Sequence, residues 1–564
     1  MAASSNARRI LTGLALCVGS MRAGGQSPAL AQAMIQESRG QLRESAASYR
    51  SAITPTEFVQ ALLGLERVYA QLGWRDSLVS IVDSVVARNP AEPMTRTVQL
   101  RTLRAIRRTD EADAAFHEWT RVAPRDIAPY REWSRLLLAE GKFAEVDSVV
   151  LEAQRTLGNV RGLASEIAQL RVALGQWDRA AVAWREAIVP EDYLTSAAAF
   201  SLRAAPDSAR RVVRLVLLSP PATAAPRQLL ASLELSWGNG RDAWFALRDL
   251  PRNDSTADAW SAFAEDAERR GQWLAARDAL QALQQWRPDA QRALRAATLA
   301  VEGGDPSSAL LLAAQAAEKL GPRDGPKTAL AVRLRAYAAL GRGADAQKAY
   351  DAVAAQLAPG ERASLRRTVA WAWVRGGGVA EARAMLTDAA SDPDDELTGW
   401  LALFDGDLAG ARRGLRRADP RAGDAVNALA LLSRTRVDTA RAVGVAFLAL
   451  ARGDTLKAAN AFAQSADSLP DAASVLLLMA ARLHSAQKRP DQAMALWKRV
   501  VETQPATPEA PEAELEWARL LRERGDRTNA ISHLEHLILS WPESALLPQA
   551  RRELDLARGA EGNA

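Results

Sequence analysis

Three arginines stand in register: Arg67, Arg101 and Arg135 are separated by 34 residues each time. A guanidinium is a planar fork that takes carboxylates singly or bidentately, so a row of them could hold an acidic ligand. His533 and His536 have a spacing that puts two nitrogens on one helix face, as a metal site would need. No cysteine or third histidine lies near them, and packing or surface roles are expected instead. The segment GPRDGPKT, residues 321–328, has some letters of a phosphate-binding loop. Pro326 separates the glycine from Lys327 and no strand precedes it, so it reads as a linker between helices. The acidic run DPDDE, residues 392–396, lacks the calcium-loop pattern and also reads as a solvated linker. A zinc-protease helix and a Gly-x-Ser-x-Gly elbow are both missing from the sequence. No catalytic, cofactor or metal residue is assigned, and the chain is expected not to be an enzyme.

Composition points the same way. Ala, Leu and Arg dominate the 564 residues, and such side chains lose little on entering a helix. The 72 basic and 67 acidic residues are interspersed, giving a net charge of +5 with no basic tail. Nucleic-acid binders concentrate their cations on one element, so no nucleic acid is expected. The single cysteine, Cys17, leaves no intrachain disulfide to reveal the compartment.

The N-terminus suggests export. Arg8 and Arg9 precede an apolar run from Ile10 to Val18, then small residues and Gln26-Ser27-Pro28. This is the layout of a secretory signal, residues 1–25, with cleavage after Gly25 or alternatively after Ala31. Its apolar run is far too short to span a bilayer. Leu14-Ala15-Leu16-Cys17 resembles a lipobox except at Leu16, and membrane association is expected only with lipidation at Cys17. Loss of residues 1–25 removes Arg8, Arg9 and Arg22 and leaves the charge nearly balanced. The expected location is the periplasm or cell envelope, with the cytoplasm as the alternative.

One unit recurs along the chain. In residues 161–190, Leu163, Ile167, Leu170 and Leu174 recur at helical spacing, Gly175 breaks the helix, and a second helix carries Ala180, Trp184, Ala187 and Ile188 before Pro190. The pattern repeats with turn glycines such as Gly73, Gly141, Gly271, Gly341 and Gly525. A small residue follows each of most turns after five residues, and a larger apolar one after four more. Glycine permits the turn, alanine lets backbones approach, and proline separates units. Arg107 and Arg489 stand near the turn in two units, and Pro206 in a third. Spacing near 34 residues with this order resembles the tetratricopeptide repeat family, and the stretch 509–551 resembles its bacterial cell-envelope members. The resemblance implies an all-α, right-handed superhelical solenoid of about fourteen helical hairpins. The expected organisation is an array over 29–420, an irregular joint with an extra helix over 421–470, further units over 471–546, and a cap helix and tail over 547–564.

The resemblance also implies that first helices line a concave groove. Counted that way, Arg67, Arg101 and Arg135 share one groove position, with Arg104, Arg131, Arg335 and Arg367 at comparable ones. Many of the 16 tryptophans, including Trp119, Trp184 and Trp497, are expected in the core. Trp371 and Trp373 cannot share a face, and Trp371 is the better groove candidate. The expected function is a scaffold that binds a protein or peptide, an acidic one by the arginines. The alternative is a component of polysaccharide synthesis or export that takes an anionic glycan.

Overall fold

The protein is described here by a computed structural model covering residues 27–189, 192–221, 223–387, 395–417 and 423–559. The proposed signal with Cys17, and the closing prolines Pro190, Pro393 and Pro420, lie outside those residues. The described chain is all-α, with 32 helices, short 3-10 turns and a single isolated β-bridge. Contacts divide it into two units, Met1–Arg252 and Asn253–Ala564. The first holds seven consecutive hairpins, the second eight. Within each unit a helix packs on its hairpin partner, and first helices also pack on the next first helix, as Pro93–Ala105 does on Ala128–Ala139. These are stacked helical-hairpin repeats. The stretch 421–470 lies inside the second unit.

The repeated letters perform the mechanical jobs their chemistry allows. The small residue after each turn, including Ala180, Ala243, Ala276, Ala309, Ala346, Ala382, Ala411, Ala458 and Ala530, is 0% exposed. A larger side chain there would hold the two helices apart. Trp184, Phe462 and Leu534 fill the space one helical turn further on, also buried. Trp119, Trp184 and Trp497 are core residues.

The turn itself needs a left-handed residue. Gly73 adopts φ 73° and donates its N–H to the Tyr69 carbonyl, closing the helix Phe58–Leu72. In two units a side chain takes that conformation: Arg107 at φ 62° and Lys488 at φ 55°. The sequence pointed to Arg489 for the second, but Arg489 is the N-cap of the next helix at φ −111°. The Schellman-like turn is one residue earlier, which keeps its distance to the following helix the same as in the glycine units. Pro206 is likewise an N-cap, in extended conformation.

One expected linker is corrected, and so is the described end of a second, whose residues 392–394 lie outside the described residues. Residues 322–328 are helical; only Gly321, at φ 83°, interrupts the run from Pro306 to Thr328. Pro322 then starts a new first turn, where its missing N–H costs nothing. Of the acidic run, Asp395 and Glu396 open the helix Asp395–Asp405, where carboxylates suit the positive end of the helix dipole. No described helix is long and apolar enough to cross a membrane.

Candidate functional site

The in-register arginines are engaged inside the protein. Arg67 grips Glu37 of the preceding hairpin bidentately, at 3.0 and 2.9 Å. Arg101 reaches forward to Glu132 at 2.7 Å, and Arg135 to Glu166 at 2.7 Å. Arg104 pairs with Glu140 while its guanidinium lies 5.1 Å from the Trp133 ring. Arg131 donates to the Gly162 carbonyl at 3.1 Å. In the second unit Arg335 pairs with Glu302, and Arg367 with Glu396 at 3.4 Å. Each contact spans about one repeat, so these side chains tie successive hairpins together.

In two of these pairs the acid is the buried half. Glu166 is 0% and Glu132 6% exposed, whereas the guanidiniums remain about half open to solvent. A fully buried carboxylate without a partner is costly, and the arginine removes that cost. Around Glu37, burial acts to raise the carboxyl, but hydrogen bonds from Arg67 and Tyr49 outweigh it and hold it below its ordinary value. The Tyr49 hydroxyl, 2.5 Å from the same carboxylate, is pushed up to about 12 by burial and by that bond. An acidic peptide or anionic glycan would therefore have to displace Glu37, Glu132 and Glu166 from these cations.

The two histidines also face a carboxylate. His533 Nδ1 and His536 Nδ1 lie 3.0 and 2.7 Å from Glu514 Oε1, on a side chain 1% exposed. Trp517 lies against His533, with ring centroids 3.9 Å apart and the planes tilted by 37°. No group of three or more metal-ligating side chains is arranged to hold an ion among the described residues.

Trp371 leads to a different site. Six residues before the left-handed turn residue stand Arg67, Arg101, Arg135, Arg335, Arg482 and Arg519 in six units. In three consecutive units of the second half the same register position holds Trp371, Trp400 and Phe447. Their rings adjoin: Trp371 and Trp400 are 6.0 Å apart, and Trp400 and Phe447 6.2 Å. Phe404 completes the cluster, 6.2 Å from Trp371 and 6.0 Å from Trp400. Trp373 points elsewhere: a Cβ on Gly343 of the preceding hairpin would strike its ring at 2.4 Å.

These rings floor a cavity of about 710 Å³. Its rim carries Arg375, Glu396, Asp424 and Asn427, with Met479 at one end. Three first helices supply the floor, Pro359–Gly376, Asp395–Asp405 and Arg441–Ala451, and Ala473–Ala486 supplies Met479. Trp400 and Phe404 are carried by a hairpin pinched at its glycines: a Cβ on Gly414 would come within 2.5 Å of the Gly399 Cα.

The wall comes from a helix that breaks the repeat. Gly423–Arg434 lies between the second helix Leu408–Leu415 and the next first helix Arg441–Ala451, and places Asp424 and Asn427 at the rim. Arg412 holds its C-terminal end. It donates to the carbonyls of Leu432 at 3.0 Å, Thr435 at 2.9 Å and Val437 at 2.7 Å, and pairs with Asp438. Backbone bonds from Leu408 N–H to Asp438 O and from Ala440 N–H to Gly406 O, both 2.8 Å, fasten the return segment. Sequence reasoning found Trp371 and missed Trp400, Phe404, Phe447, Asp424 and Asn427. Counting six back from each turn finds Trp400 and Phe447; nothing local marks the others.

No protein-family profile matches the chain, and no curated protein does. Among solved structures it is similar to the crystal structure of the APC/C hetero-tetramer Cut9–Hcn1, at 13% identity and TM-score 0.22, over 93% of this chain and 95% of that one. It is also similar to the structure of Naa15/Naa10 bound to HypK-THB, at 13% identity and TM-score 0.22, over 95% and 98% of the two chains. A TM-score of 0.22 is too low for either alignment to bear on function.

Proposed function

We propose that the protein is a non-catalytic scaffold that holds a protein or peptide partner against the first helices of its second unit. The aromatic-floored cavity carries this reading. Three rings replace arginine at one register position, and the helix that breaks the repeat walls the space they line. Repeats that serve only to pack one another need neither device. The partner is a macromolecule, since residues of five helices line the site.

The proposal includes export to a cell envelope. Its support is the sequence of residues 1–25, Arg8-Arg9 followed by an apolar run and small residues. N-terminal sequencing of the protein purified from its native cells reads the cleavage directly, and a retained Met1 overturns export.

A photo-crosslinking residue at the exposed rim position Asn427, in the full chain in native extract, tests the scaffold. A discrete protein adduct is expected there. A control crosslinker at Leu539, 79% exposed on a second helix, is expected to give none. The same adducts from both positions, or none at 427, would overturn the reading.

A further inference from the structure

Resting on that scaffold reading, we infer that the cavity receives an arginine side chain of a basic partner peptide. One rim carboxylate is spare and a second is loosely paired. Asp424 makes no ion pair or hydrogen bond among the described residues. Glu396 meets Arg367 at only 3.4 Å. Among the described residues the one cation on the rim, Arg375, reaches away to the Ala338 carbonyl of the preceding hairpin, 3.4 Å off. Below these acids lie four aromatic rings, and among the described residues no guanidinium stands over Trp371, Trp400, Phe404 or Phe447.

The first unit shows the arrangement filled. There Arg104 lies over Trp133 and pairs with Glu140, all within the chain. Tryptophan is the best cation-π acceptor, and its attraction grows when the pair is sheltered from water. A guanidinium is planar and weakly hydrated, so it can rest on a ring while its fork reaches Asp424, Glu396 or the Asn427 amide oxygen. An ammonium gives up more hydration for fewer directed bonds. An acidic or phosphorylated segment would meet two carboxylates in a partly enclosed space. Trp400, Phe404 and Phe447 are at most 7% exposed, so the ring left for a guanidinium to rest on is the half-buried Trp371.

The test is fluorescence anisotropy of labelled hexa-arginine and hexa-glutamate peptides with the full chain. The protein's net charge of +5 works against non-specific capture of the basic peptide. Saturable binding of hexa-arginine alone is expected, weakened about tenfold by Asp424→Asn with Glu396→Gln, a loss in the range of one sheltered cation-π or ionic contact. Trp371→Phe is expected to weaken it less than Trp371→Leu, since phenylalanine keeps a π face. Both rim variants are conservative, and unchanged circular dichroism shows that they fold. Equal affinity in the double rim variant, equal affinity of the two Trp371 variants, or tighter binding of hexa-glutamate overturns the inference. Crosslinking at position 427 without hexa-arginine binding overturns the ligand chemistry and leaves the scaffold standing. Loss of both removes the site as well.

Discussion

Arginine does two different things in this chain, and burial decides which. Where its partner acid is inside, as with Arg135 and Glu166, the pair is asymmetric: the carboxylate is 0% exposed and the arginine about half open to solvent. Removing the base strands a buried charge, whereas neutralising the acid leaves an exposed cation that water can serve. Arg135→Met is therefore expected to destabilise the first unit by about 3 kcal/mol. Glu166→Gln, which keeps an acceptor for Arg135, should cost clearly less. Urea unfolding of each variant measures the difference; equal costs would mean that the bond matters only as a surface ion pair. The sequence displayed the 34-residue arginine register plainly. It did not display the acids opposite, because Glu132 and Glu166 meet their partners only when hairpins stack.

At the level of elements, the extra helix is the feature that turns a repeat into a site. Gly423–Arg434 has no hairpin partner of its own. Its end is held chiefly by Arg412, whose guanidinium serves the Leu432, Thr435 and Val437 carbonyls together. Charge-assisted bonds of this kind contribute about 1.5–3 kcal/mol each where geometry is good, though not additively. Arg412→Ala is expected to loosen this helix without unfolding its neighbours. Hydrogen exchange should then rise across 423–440 and stay unchanged in the helix Thr455–Ser468. A change spread over the whole second unit would show that the helix is integral to the core. An excess of residues between Pro420 and Pro470 shows in the sequence that something is inserted. That the insertion walls an aromatic floor does not, since Trp371 and Asp424 lie more than a repeat apart.

Across the whole molecule, the division after Arg252 bears on how the protein unfolds. Each repeat contacts only its neighbours, so stability is roughly a sum of local terms and an array can melt in parts. Two urea transitions are expected. Arg135→Met should move one of them, and Phe462→Ala, which empties a buried site in the second unit, the other. A single transition shifted by both substitutions would show that the units unfold together.

The letters that recur at short range determined the helices, the turns and the buried alanines, because those depend on φ, on side-chain volume and on spacing within one hairpin. Even the exceptions at Arg107 and Lys488 fall within a residue of where the pattern puts them. Tertiary structure decided what the polar side chains are for. A guanidinium at a given register position is a ligand-binding cation or an internal tie according to what the next hairpin sets opposite it. Only the stacked chain brings Glu132 to Arg101, Glu514 to His533 and His536, and Asp424 to the rim above Trp371. The physical reason is range: backbone conformation and burial are set by a few neighbouring residues, while hydrogen bonds and ion pairs need atoms within about 3 Å, wherever they lie in the chain.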